Sequence, residues 1–157
     1  MKKFILLSVS ILLMCGTASG WGREGHEVIA KIAENHLQPS AKKTIEKYLG
    51  DHSIVYFAKW MDEYRHTKEY AFTSPWHTAK VDKNLEYAPS GARGDAIYGV
   101  NQAIKVLRNY KEQTDSTVCV NLKYLIHLVG DMHCPAHIYY TGRNQNFKVD
   151  FGDGHYL

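Results

Sequence analysis

Apolar residues recur at helical spacing in several stretches of the chain, separated by polar and turn-forming residues. Val28, Ile29, Ile32, Ala33 and Leu37 predict a first helix from about Glu24 to His36. Pro39-Ser40 restarts the chain, and Ser40 is placed to cap a short helix through Lys47 that ends near Gly50. Ser53 is the expected cap of a third helix running through Phe57, Trp60 and Met61 to Tyr64. Thr73 to Tyr87 carries turn residues without a steady period, which predicts mostly loop. Ile97, Val100, Ile104 and Leu107 mark one face of a fourth helix, from about Asp95 to Tyr110. Leu122, Leu125, Ile126 and Val129 mark the last, about Thr117 to Met132, and Pro135 bars its regular continuation. Asn146 to Phe151 alternates like a short strand, with Gly152-Asp153-Gly154 as a turn. The fold class is mainly α, with a short β segment near the C-terminus.

The first 20 residues stand apart from this pattern. Met1-Lys2-Lys3, an apolar run from Phe4 to Cys15, and Ala18-Ser19-Gly20 together read as a secretory signal peptide with a small-x-small cleavage site. Cys15 offers a lipoprotein reading, ranked second because Met14 fits poorly before it. Cleavage after Gly20 makes Trp21 the first residue of a single domain, 21–157, in a secreted or periplasmic protein. No other apolar run approaches the ~20 residues of a transmembrane helix.

Removing 20 of 157 residues leaves 137 and lowers the formal charge from +3 to +1, because Lys2 and Lys3 go with the signal. Bulk charge therefore does not draw this protein to nucleic acid or anionic membranes, and an anionic substrate must be gripped locally. Cys119 and Cys134 sit near the two ends of the last helix, roughly 20 Å apart at 1.5 Å per residue, beyond a disulfide's reach. Both are expected as free or buried thiols, with a metal role for Cys134 as the lesser option.

The candidate chemistry lies in histidines and aspartates. His127 and Asp131 stand four residues apart, on one face of an otherwise apolar helix. His137 follows just past the Pro135 break, Asp62 lies on a helix, His77 in the following loop, and His26 five residues after Trp21. A free Trp21 amine is a nitrogen donor, whereas the amide of the uncut chain is not. Such nitrogen and oxygen donors with little sulfur suit a catalytic zinc site better than a structural one. Each residue alone has an ordinary explanation: a surface His26, a solvated Asp62, an ordered loop His77, a helix-terminating Asp131. Burying His127 and Asp131 unpaired would cost ~1–3 kcal/mol each. A metal ion and a hydrogen-bonded pair within the core remain open as their partners. His36, His52 and His66 read as surface residues.

Taken together, Trp21-Gly-x-x-Gly-His26, Trp60-Met-Asp62-Glu-Tyr-Arg65, Trp76-His77 and His127-x3-Asp131-x3-Pro135-x-His137 resemble the zinc-dependent single-strand-specific nucleases of the S1/P1 type, relatives of bacterial zinc phospholipase C. The resemblance spans nearly the whole mature chain, with the motifs in order. It implies a helical phospholipase C/nuclease-like domain with three zinc ions at the base of a cleft. It further implies a secreted endonuclease on single-stranded DNA and RNA that leaves 5′-phosphates and removes 3′-phosphate from nucleotides. Carried over by motif, one zinc takes Asp62, His77, His127 and Asp131. A second takes the Trp21 amine and carbonyl, His26 and the other oxygen of Asp131. A third takes His137 with a histidine and an aspartate further downstream.

That downstream pair is missing. After Gly142-Arg-Asn144 and the 147–152 segment the sequence stops at Leu157, so the chain resembles the N-terminal part of a family member, and neither His155 nor His133 stands at the matching position. Asp131, as the shared carboxylate, and Arg65, as a planar fork for phosphate, are the expected catalytic residues. Without the resemblance, a surface salt bridge explains Arg65 nearly as well. Tyr64, Tyr139 and Tyr140 are candidate stacking surfaces for bases. Single-stranded nucleic acid or 3′-nucleotides are the expected substrates, and a monomer the expected state. The competing readings are a zinc phospholipase C, a non-catalytic zinc-binding fragment, and an exported helical domain with scattered histidines.

Overall fold

The computed structural model describes residues 22–140. Expectations about Trp21, the signal segment, Gly142, Asn144, the 146–154 strand and turn, and His155 lie outside them. The described chain is mainly α, as its periodicity predicts. In order come α1 (Arg23–His36), α2 (Pro39–Tyr48), a 3-10 turn Ile54–Phe57, α3 (Trp60–Tyr64), a 3-10 segment Ala71–His77, β1 (Ala79–Val81), α4 (Ala96–Arg108), α5 (Asp115–Met132), a 3-10 turn Pro135–His137 and β2 (Ile138–Tyr140). Among the described residues, no helix is long and apolar enough to cross a membrane.

α5 is the axis of the packing, touching α1, α2, α3 and α4. Thr114 caps it by accepting from the Thr117 amide. Its successive faces enter two cores. Val118 and Leu122 meet Ala30, Leu49, Ile54 and Ala58. Two residues further on, Tyr124 and Leu128 meet Trp60, Met61, Trp76 and Ala103. A third buried face, beside that of Tyr124 and Leu128, carries His127 and Asp131, so this helix brings a polar stripe into the interior.

Three local expectations need correction, and α1 turns inward a face that its apolar spacing does not announce. Gln38, not Ser40, is the N-cap of α2, because Pro39 takes the first helical position, where its missing amide costs nothing. Ser53 does cap, but the helix it starts is a 3-10 turn that gives way at Ala58-Lys59 before α3 begins. The expected loop after Thr73 contains the 3-10 segment and β1. Finally, the apolar stripe of α1 is not its inward face: Val28 and Ile32 are each more than half exposed, while His26, Ala30 and Glu34 are buried.

The small sheet has a positional role. β1 and β2 pair in parallel, with Ala79 opposite Ile138. β1 starts two residues after His77 and β2 directly after His137, so the pairing brings together two segments 60 residues apart in sequence. Asp95 anchors the connection from β1 to α4. Its carboxylate accepts from the Tyr98 amide as a helix cap, and from the Ser90 amide and the Tyr87 hydroxyl, each at 3.0 Å.

Candidate metal centre

His26 from α1, Asp62 from α3, His77 from the 3-10 segment, His127 and Asp131 from α5 and His137 from the turn after it converge on one spot. His127 and Asp131 are fully buried, and the His26 and His77 side chains almost so. Asp131 turns Oδ2 toward His127 Nε2 at 3.4 Å, and Oδ1 toward His26 Nε2 at 3.4 Å and His137 Nε2 at 3.5 Å. Asp62 turns Oδ1 toward His77 and His127 at 3.8 and 3.9 Å, and Oδ2 toward His26 at 3.7 Å. The rings of His26 and His127 stack, with centroids 4.2 Å apart.

The far nitrogens explain what kind of site this is. His127 Nδ1 lies 2.8 Å from the Ala58 carbonyl oxygen, His77 Nδ1 3.3 Å from that of Ser74, and His137 Nδ1 2.5 Å from that of His77. A carbonyl oxygen can only accept, so Nδ1 carries the proton in each and Nε2 presents a bare lone pair to the cluster. Burial, and after it the neighbouring His127 imidazole, lower His26 and His77 from the usual 6.5 to about 4, which keeps both rings neutral at physiological pH. Ionised carboxylates are acceptors as well. At His77, His127 and His137 an imidazole lone pair therefore faces carboxylate oxygens, while His26, whose nitrogens have no such tie to a described residue, packs beside them. Among the described residues, His26 Nε2, His77 Nε2, His127 Nε2 and both oxygens of Asp131 are buried without a hydrogen-bond partner.

Buried polar atoms are rarely left unpaired, and a core hydrogen-bonded pair would have supplied a donor between His127 and Asp131. The arrangement fits a cation. Two donor triads, His26-Asp62-His127 and His77-His127-Asp131, have ligand atoms within 4.8 Å of one another and could each hold a metal ion. Arg65 stands at the edge with Nη2 3.6 Å from Asp62 Oδ1, and its Nε is buried without a partner.

A family model described as S1/P1 Nuclease matches residues 21–153. The chain belongs to the S1/P1 nuclease family. Over 148 residues it is 28% identical to Nuclease S1 of Aspergillus oryzae, covering 87% of this chain and 50% of that protein. Over 155 residues it is 29% identical to Endonuclease 2 of Arabidopsis thaliana, covering 87% and 52%. Nuclease P1 of Penicillium citrinum is 29% identical over 150 residues, covering 87% and 54%. The chain thus spans about half the length of these curated relatives.

Six of the seven expected metal residues meet in this cluster; the seventh, Trp21, lies just before the described residues. The ordinary readings of His26 and His77 fail, since both are buried against Asp62. His36, His52 and His66 are exposed, as expected. His133 is exposed, with Nδ1 on the Val129 carbonyl oxygen at 2.7 Å. Cys119 and Cys134 are free thiols. The anchors of Nδ1 on His127, His77 and His137 are main-chain oxygens, which no side-chain pattern in the sequence announces.

Proposed function

We propose that this chain carries the zinc centre of a secreted or periplasmic phosphodiesterase. In this reading it cleaves single-stranded DNA and RNA to 5′-phosphates and removes 3′-phosphate from nucleotides. The observation that carries the proposal is the cluster of buried imidazole nitrogens and carboxylate oxygens that face one another, in which His77, His127 and His137 each present a bare Nε2.

Asp62, His77, His127 and Asp131 would hold one zinc. His26, the other oxygen of Asp131 and the amine and carbonyl of a signal-cleaved Trp21 would hold a second, and His137 would contribute to a third. The opposed directions of Asp131 Oδ1 and Oδ2 favour sharing of this carboxylate. Such ions supply a water acidified to near neutrality and positive charge to offset a phosphoryl centre.

The protein's own residues set where a substrate enters. His127 and Asp131 close the floor, while the Asp62 and Arg65 side chains are each about one third exposed and open the site on their side. A phosphodiester entering there meets Arg65, whose guanidinium can donate two parallel hydrogen bonds to phosphate oxygens. Asp62 holds that guanidinium beside the cluster. Next to Arg65, the exposed Tyr64 ring stacks on Trp60 at 4.8 Å, which presents a rigid aromatic face on which an unpaired base can stack.

The test is hydrolysis by the signal-cleaved protein, with and without zinc, of single-stranded DNA, duplex DNA, a 3′-nucleotide and a phosphocholine lipid. Zinc-dependent cleavage of the single strand and the 3′-nucleotide is expected. Cleavage of the lipid alone would move the assignment to phospholipase C. Zinc uptake without hydrolysis of any of the four would reduce this chain to a metal-binding part.

A further inference from the structure

We propose that Gly130 is a positioning residue, whose missing side chain is what seats His26 in the cluster. The inference rests on the metal reading for its functional meaning and on packing alone for its geometry.

His77, His127 and His137 each have Nδ1 tied to a main-chain carbonyl oxygen. Among the described residues His26 has no such tie, and its Nδ1 and Nε2 are both buried without a hydrogen-bond partner. Its ring is oriented by what it touches. One face stacks on His127, with an interplanar angle of 18°. At its Nδ1 edge lies Gly130, on the last turns of α5.

A Cβ built on Gly130 would stand 2.7 Å from His26 Nδ1 and 3.5 Å from Cε1. Separations under 3.0 Å essentially never occur at a real Cβ. The ring would have to shift, and its side chain is only 1% exposed, so there is little free space to take it. Shifting also disturbs the approach of Nε2 to Asp131 Oδ1 at 3.4 Å and Asp62 Oδ2 at 3.7 Å.

Nothing in the helix itself asks for glycine here. Gly130 lies within the helical span of α5 and has no positive φ. Alanine is the better helix former at such a position, because glycine loses more backbone freedom on folding. Gly130 thus opposes local propensity while bordering a ring that has no hydrogen-bonded anchor, and the contact accounts for both facts. In most metal sites a hydrogen bond on the far nitrogen orients the histidine; for His26, close packing against a bare helix backbone takes that part.

The experiment is a double-mutant cycle on the signal-cleaved protein: parent, Gly130→Ala, His26→Ala and the double variant. Melting temperature is measured in chelator, and zinc affinity by competition. In chelator, Gly130→Ala is expected to lower the melting temperature when His26 is present. It should raise it by a few degrees in the His26→Ala background, where only helix propensity is left. Gly99→Ala is the control, since its Cβ would meet Leu128 Cδ1 at 2.7 Å and Trp76 Cε3 at 2.8 Å. It should destabilise both backgrounds alike.

With zinc, Gly130→Ala should weaken one site at least tenfold, as His26→Ala does, and the double variant should lose no more. A shift of the same sign in both backgrounds overturns the proposal. So does parent-like zinc affinity in Gly130→Ala. A parent that takes up no zinc overturns the metal reading separately, while the change of sign in chelator still decides the packing claim.

Discussion

Replacing Asp131 with Asn removes one negative charge from the middle of the cluster and leaves the shape nearly unchanged. In the metal-free protein the wild-type carboxylate is fully buried with both oxygens unpaired, at a cost of ~1–3 kcal/mol for each such group. Asparagine brings two N–H donors to a place bordered by bare imidazole lone pairs, with Nε2 of His127 3.4 Å from the position of Oδ2 and Nε2 of His137 3.5 Å from that of Oδ1. The metal-free variant is therefore expected to melt at or above the metal-free parent. In zinc the order reverses, because a neutral amide cannot serve as a shared anionic ligand.

The size of that reversal can be worked out. Zinc at a hundred times its dissociation constant stabilises by ~2.7 kcal/mol per site. At ~2.1 cal/mol/K of unfolding entropy per residue, the 137 residues left after signal cleavage make 1 kcal/mol worth ~3.5 °C. The parent should gain ~9 °C per occupied site under these conditions. Asp131→Asn should gain less than half the parent's total. Differential scanning calorimetry in chelator and in buffered zinc reads both quantities. A metal-free variant that melts several degrees below the parent while keeping the full zinc gain would refute the reasoning, since Asp131 would then be a structural acceptor and not a ligand.

Protons should not compete with zinc at His26 and His77 until about pH 4, well below the ordinary 6.5, so zinc release against pH should show a late step near pH 4 that is absent in His77→Ala. In the metal-free protein the same depressed values mean that unfolding takes up protons between pH 6.5 and about 4, so stability should fall as pH falls through that window and level off below it; a flat profile would contradict it. Arg65→Ala should lower kcat/KM on single-stranded DNA by ~10–150-fold, the worth of a charge-assisted hydrogen bond of about 1.5–3 kcal/mol, with zinc content unchanged by elemental analysis. Asp95→Ala should cost about 2–4 kcal/mol in urea melts, since it unpairs the Ser90 and Tyr98 amides and the Tyr87 hydroxyl together.

How much of this could be read from residues follows from how local each signal is. The His127-x3-Asp131 pair was legible because two polar groups on an apolar helix need partners, and helical spacing fixes them to one face. The break at Ala58 was not, because its reason lies 69 residues away: the Ala58 carbonyl oxygen accepts from His127 Nδ1, at the point where the expected third helix gives way. The inward face of α1 is hidden for a similar reason. Amphipathicity favours turning Val28 and Ile32 inward, but His26 occupies the cluster and carries Ala30 and Glu34 inward with it. Gly130 gave the faintest sign, an isolated glycine within an apolar helical run, which commonly has a packing reason. The partner that supplies the reason was invisible until α1 and α5 were placed together.

The most direct test is the zinc content of the signal-cleaved protein after dialysis against trace zinc, measured beside that of His127→Ala. Two zinc ions per parent chain, and at least one fewer in the variant, are expected from a cluster in which bare imidazole and carboxylate donors face one another. Less than one ion per parent chain, or equal content in the two proteins, would contradict a metal centre built on His26, Asp62, His77, His127 and Asp131.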